Sequence, residues 1–215
     1  MTSPEVHDEV VAAAQEMAAC GLVVGTAGNV SGRRPDGTVC LTPSSTPYGD
    51  ITADGLAVVD LEGAVVAGGR PSTEKAMHLA CYRAFPEVGG VVHCHPLHAS
   101  MFAVTRHPIP AVIEEVIVYV GGDVAVAGYR TTGTDDLAAE VVKHLADRSA
   151  VLMANHGLLC VGKSPADALH TAQVVEHTAH IVWGARQLGA PVDLPPKVVE
   201  DFKGVYRYLR SETWA

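Results

Sequence analysis

The chain of 215 residues is poor in aromatic side chains, at 5%, and in charge, at 18% Asp, Glu, Lys and Arg. Of the charged residues the basic ones are the fewer: 15 Lys and Arg stand against 24 Asp and Glu, a formal charge of −9. A binder of nucleic-acid backbones needs a basic stripe, so this balance argues against such a partner. No apolar run approaches the roughly eighteen residues of a membrane-spanning helix. The opening MTSPEVHDEV lacks the basic-then-apolar order of a secretory signal. Cys20, Cys40, Cys81, Cys94 and Cys160 contain no CxxC pair. Their odd number and irregular spacing argue against a disulfide framework and for a reducing, cytoplasmic setting. Internal repeats and low-complexity linkers are also missing, so residues 1–215 read as one domain.

What the chain does have is 48% hydrophobic residues, enough for a sizeable core, and 11 histidines. Imidazole is the usual ligand of first-row metals and titrates near neutrality, so the histidines need individual assignment.

Periodicity gives a coarse outline. Val6, Val10, Ala13, Ala14 and Met17 predict an amphipathic helix from Glu5 to Cys20, ended by Gly21. Turns at Pro35-Asp36-Gly37 and Glu62-Gly63 predict two hairpins. A helix follows Pro71-Ser72-Thr73-Glu74, with Ser72 or Thr73 as cap, and runs to about Ala84. VGGVVHCHP reads as a buried strand and Leu97–Thr105 as a helix; IEEVIVYVGG and DVAVAGY read as strands. Thr134 caps a helix over TDDLAAEVVKHLAD, AVLMANHGLLCVG is strand and turn, and Ser164-Pro165 opens a helix to about Leu188. The expected class is α/β, a central mixed or largely antiparallel sheet flanked by helices.

His93-Cys94-His95 is the sharpest local signal. Residues i and i+2 of a strand share a face, so both imidazoles can converge on one ion while Cys94 packs into the core. His156 in Asn155-His156-Gly157 ends an apolar strand, and Glu74 stands at a helix start. Three His and one Glu would suit Zn²⁺. Equally, His156 could be a solvated strand end and Glu74 an acid that favours the helix dipole; spacing does not choose. Gly25-Thr26-Ala27-Gly28-Asn29-Val30-Ser31-Gly32 is rich in glycine but fits neither GxGxxG nor the P-loop. It is either a turn or a nest of backbone N–H groups for an anion.

GTAGNVSGR, LTPSS, PSTE, VVHCHPLHA and ANHG occur in the order and spacing of the class II aldolase/adducin family, which the chain resembles from the first helix to about Leu188. The resemblance implies Zn²⁺ held by His93, His95 and His156, with Glu74 as fourth ligand at rest and as acid/base in catalysis. It implies a substrate phosphate held by Gly28, Asn29, Ser44, Ser45, Ser72 and Thr73. The family commonly has Gly where Ser45 stands and Ser where Thr73 stands; Thr73 keeps the hydroxyl, whereas Ser45 adds a side chain. The implied reaction cleaves a ketose 1-phosphate, of the L-fuculose 1-phosphate or 5-deoxypentulose 1-phosphate kind, to dihydroxyacetone phosphate and an aldehyde. Lewis-acid chemistry suits this chain, because Lys75, Lys143, Lys163, Lys197 and Lys203 all lie outside apolar strands that would tune an imine-forming amine.

Other branches epimerise L-ribulose 5-phosphate at C4 or are adducin-like interaction modules; the four retained ligands speak against the latter. The tail FKGVYRYLRSETWA resembles the aldolase branch, in which a tail tyrosine assists proton transfer; Tyr206 and Tyr208 are the candidates. Glu114-Glu115 stands near where that branch has a tyrosine for the aldehyde moiety. Family members form homotetramers with sites at subunit interfaces, which the resemblance extends to this chain. His98 is open between contact with the metal shell and helix capping. His78 reads as a helix residue near Glu74 without a chemical role. His170, His177 and His180 share one helix with no supporting carboxylate motif.

Overall fold

The computed structural model describes residues 4–213. Eight strands form one sheet: β1 (Asn29–Arg33), β2 (Val39–Leu41), β3 (Ala57–Val59), β4 (Val65–Ala67), β5 (Gly90–Cys94), β6 (Val126–Ala127), β7 (Ala150–Met153) and β8 (Gly157–Gly162). Their order is β4-β3-β2-β1-β5-β8-β7-β6. Every neighbouring pair is antiparallel except β6 and β7, so the sheet is mixed and largely antiparallel, as the sequence predicts. Both predicted hairpins form, β1–β2 around Asp36-Gly37 and β3–β4 around Glu62-Gly63.

Strand alternation divides the interior into two cores. Val30, Val92, Cys94, Leu152, Leu158 and Cys160 face one core with α1 (Pro4–Ala19), α3 (Leu97–Thr105), α4 (Glu114–Val120) and α6 (Pro165–Leu188). Val91, Val151, Met153, Leu159 and Val161 face the other, with α2 (Lys75–Ala84) and α5 (Asp135–Val142). Helix ends follow local chemistry. Thr134 Oγ1 accepts from Leu137 N at 3.3 Å and caps α5. Ser164 Oγ accepts from Asp167 N at 3.2 Å, with Pro165 in the first turn of α6.

Four predicted elements differ, one of them the helix read over TDDLAAEVVKHLAD, which ends at Val142. The stretch 113–122, read as a strand from its β-branched residues, is helix α4. Val116, Ile117 and Val120 are buried together, a helical spacing, and Gly121 at φ 99° ends the turn. DVAVAGY contributes the two residues of β6 and otherwise runs as loop. Helix α2 starts at Lys75, with Glu74 in the cap position; neither Ser72 nor Thr73 caps it, and Ser72 Oγ accepts the Glu74 N–H at 3.2 Å instead. The tail forms α7 (Pro196–Thr213), which packs on α4. No helix among the described residues is long and apolar enough to cross a membrane.

Candidate active site

The site lies where four chain segments meet at one end of β5. Strand geometry pairs Asn29 of β1 with His93 of β5, and His93 with Leu159 of β8. His93 is fully buried, and its Nδ1–H donates to Leu158 O at 2.9 Å, which fixes the ring orientation and leaves Nε2 facing the site. Its Nε2 stands 3.0 Å from Nε2 of His95. Cys94, between them, faces the opposite core, and burial pushes its thiol well above the ordinary range. The Ala154–Gly157 turn between β7 and β8 brings up His156, with Asn155 in the left-handed region at φ 56°.

The ligand nitrogens of His93, His95 and His156 lie within 4.8 Å of one another, and among the described residues they form the one such His, Cys, Asp and Glu group. Glu74 closes the cluster: Oε2 is 3.3 Å from His93 Nε2 and Oε1 is 3.2 Å from His156 Nε2. Each oxygen has a second partner, Asn29 Nδ2 donating to Oε2 at 3.0 Å and Thr132 Oγ1 to Oε1 at 2.6 Å. Burial alone would raise the Glu74 carboxyl; hydrogen bonds from His156, His93 and Thr132 and the charge on His93 outweigh it and hold it well below the usual carboxylate range. Burial, and then His93 and His156, push His95 down to about 4, so it is a neutral donor at physiological pH. Three convergent imidazoles and a carboxylate fit a divalent ion of the Zn²⁺ type.

A cavity of about 310 Å³ opens on this cluster. Gly28, Asn29, Ser44, Ser45, Ser72, Thr73, Glu74, His95 and His156, all singled out from the sequence, line it together with Thr26 and Thr132. Two features bring the cradle together. Ser44 N bonds Arg70 O at 2.9 Å and Ser72 N bonds Thr42 O at 3.3 Å, which ties the LTPSS and PSTE segments side by side. Gly28, at φ 81°, passes so close to β5 that a Cβ there would stand 2.7 Å from His93 O. Ser45 adopts φ 61°, the left-handed conformation that glycine adopts without strain. Among the described residues no lysine or arginine lines the cavity.

The tail tyrosines lie elsewhere. Tyr206 is buried beneath Gly121, its hydroxyl 3.0 Å from Ser149 Oγ and accepting from Arg210 at 2.9 Å; Tyr208 is exposed. Neither lines the cavity of its own chain. Glu114 and Glu115 occupy the first turn of α4, where acids favour the helix dipole. His98 meets Glu176: the carboxylate accepts from His98 N, His98 Nδ1 and Ala99 N at 2.9, 2.7 and 2.8 Å and so caps α3 from α6. His98 also stacks on His180, and His170 meets Tyr119 edge-on; neither His170, His177 nor His180 joins the metal-type cluster.

Sequence reasoning did not find Thr132 or the partners of His78. Thr132 comes from a loop with no local pattern to mark it. His78 carried a readable signal, because it lies one turn after Glu74 on the same helix face.

Fold and site together describe a cluster of metal-ligating side chains at one end of the central strands, beside a hydroxyl- and amide-lined pocket, and comparison with known proteins gives this arrangement a family. The model of the class II aldolase and adducin N-terminal domain matches residues 8–183, and the chain belongs to this family. It is 35% identical over 197 residues to a 5-deoxy-D-ribulose 1-phosphate aldolase of Bacillus thuringiensis serovar kurstaki, covering 91% of this chain and 92% of that one. It is 33% identical over 195 residues to an L-fuculose phosphate aldolase of Haemophilus influenzae, covering 91% and 89%. A solved L-fuculose 1-phosphate aldolase superposes with a TM-score of 0.90 at 33% identity, over 96% of this chain and 98% of that one.

Proposed function

We propose that the protein is a metal-dependent aldolase that reversibly cleaves a ketose 1-phosphate of the L-fuculose or 5-deoxypentulose kind to dihydroxyacetone phosphate and an aldehyde. The observation that carries this reading is the convergence of His93, His95, His156 and Glu74 at the mouth of a cavity lined by hydroxyls and amides. The aldolase names of the relatives in Bacillus thuringiensis and Haemophilus influenzae support it.

Breaking C3–C4 leaves the bonding electron pair on C3 beside the C2 carbonyl, while the C4 hydroxyl loses its proton to become the aldehyde. A divalent ion such as Zn²⁺, held by the three histidines and at rest by Glu74, supplies Lewis-acid stabilisation of that charge when bound. Glu74 is the group that delivers the proton to C3, and removes it in the condensation direction. Asn29 and Thr132 hold one carboxylate oxygen each, so the base is oriented before substrate arrives. Gly28, Asn29, Ser44, Ser45, Ser72 and Thr73 take the phosphate through amides and hydroxyls.

A tail tyrosine that assists at the aldehyde end does so from a neighbouring subunit of a homotetramer, since neither reaches the cavity of its own chain. Tyr208 suits this better than Tyr206, whose hydroxyl already has two partners. The five free cysteines suit a cytoplasmic enzyme.

The decisive experiment incubates the zinc-loaded protein with dihydroxyacetone phosphate and a panel of aldehydes, beside L-ribulose 5-phosphate. Condensation that disappears on chelation and returns with zinc is expected. Epimerisation without net cleavage would replace the aldolase reading, and a metal-free protein of full activity would remove the metal from it.

A further inference from the structure

We propose that His78 is a positioning residue that acts through Asn29, fixing which end of that amide faces Glu74 and Ser72. The inference begins from a chain of polar groups behind the site. Tyr82 OH lies 2.8 Å from Ser31 Oγ, Ser31 Oγ 2.6 Å from His78 Nδ1, and His78 Nε2 2.5 Å from Asn29 Oδ1. Asn29 Nδ2 then reaches Glu74 Oε2 and Ser72 Oγ, each at 3.0 Å. His78 and Tyr82 come from α2, one and two turns beyond Glu74; Ser31 and Asn29 alternate on one face of β1.

Donor and acceptor counting leaves this chain one direction. An ionised carboxylate accepts only, so the Asn29 NH₂ must face Glu74 and Oδ1 must face His78. A carbonyl-type oxygen also accepts only, so His78 Nε2 carries the proton. The imidazole is fully buried, and that burial pushes it down to about 3; it is neutral at physiological pH and its Nδ1 is a bare acceptor. Ser31 therefore donates to Nδ1, and its oxygen accepts from Tyr82. Reversing the Asn29 amide would set two acceptors against each other at Glu74, and would either place two donors together at His78 or reverse the whole chain and leave the buried Tyr82 hydroxyl proton without its Ser31 acceptor. The buried chain thus excludes the flipped amide, and a group with no access to the cavity decides what the cavity presents.

This role rests on the aldolase reading where activity is its readout, so the test has a second arm that does not. Heteronuclear NMR of the imidazole nitrogens in the unmodified protein, with and without zinc, should show His78 neutral with its proton on Nε2. A proton on Nδ1, or a cationic ring at neutral pH, would overturn the proposal. In the kinetic arm His78→Leu should lower kcat/KM on the order of 10–100-fold. His78→Gln, which restores an N–H donor near the Nε2 position, should recover most of that loss. In an Asn29→Ala background His78→Leu should change kcat/KM by less than about twofold, because its target is gone. Equal losses for Leu and Gln, or losses that multiply with Asn29→Ala, would make His78 merely structural. If the unmodified protein cleaves no ketose 1-phosphate, the aldolase reading falls while the NMR arm still decides His78.

Discussion

Between the rings of His93 and His95 the backbone of residue 157 passes where no side chain fits. A Cβ on Gly157 would stand 2.5 Å from Cys94 O, 2.6 Å from His95 Cδ2 and 3.3 Å from His93 Cε1. Two of those three atoms belong to the imidazoles that face the site, so relief of the clash must move a ligand or the turn that carries His156. Gly157→Ala is therefore expected to weaken zinc binding on the order of 10–100-fold. Competition with a chromophoric chelator measures this directly, and unchanged affinity would show that the β7–β8 turn shifts without moving the ligands. At this scale the sequence was readable where chemistry repeats locally. His93 and His95 are marked by strand alternation, and His156 by its place after an apolar strand. Thr132 is not marked at all, since its contact with Glu74 spans 58 positions and depends on how the loop before α5 lies.

The element most misread, α4, shows why local propensity was insufficient there. Ile113, Val116, Ile117 and Val118 favour a strand when taken singly. Yet Val116 and Ile117 are adjacent and both fully buried, which one-sided strand alternation does not produce, and α6 and α7 pack against the segment as a helix. Helices α5 and α6 were legible because each carries its own punctuation, Thr134 before α5 and Ser164-Pro165 before α6, whereas α7 was not read from the sequence at all. Helix α7 docks through Val199, Phe202 and Tyr206, the last of which enters under Gly121 at the end of α4; a Cβ at Gly121 would lie 2.7 Å from the Tyr206 ring. Burial raises the Tyr206 phenol above its ordinary range although Arg210 lowers it, so the ring is a neutral bridge between Ser149 and Arg210. Removing the hydroxyl in Tyr206→Phe should cost about 1 kcal/mol of stability, and Tyr206→Ala about 3–5 kcal/mol. Denaturant unfolding of the two variants checks these values. A large loss of turnover in Tyr206→Phe without loss of stability would instead give that hydroxyl a part in the chemistry.

Over the whole molecule, the acidic balance and the phosphate pocket have to be reconciled. A net charge of −9 makes the body of the protein repel a phosphate ester, and no lysine or arginine among the described residues lines the cavity to offset this. The pocket contributes oriented dipoles that act at contact distance; the long-range field is that of the acidic surface. Salt distinguishes these contributions, because it screens exposed charges beyond about 8 Å at physiological ionic strength and barely touches contacts inside a pocket. An enzyme that draws phosphate with surface lysines loses affinity as salt rises. Here the screened term is repulsive, so raising sodium chloride from about 0.05 to 0.5 M should leave KM for the phosphorylated substrate flat or lower it by up to about twofold. Steady-state kinetics in the cleavage direction, at constant zinc and pH, makes the measurement. A rise in KM of about threefold or more would mean that a basic side chain from another subunit faces the phosphate, and that the site is completed electrostatically only in the assembly.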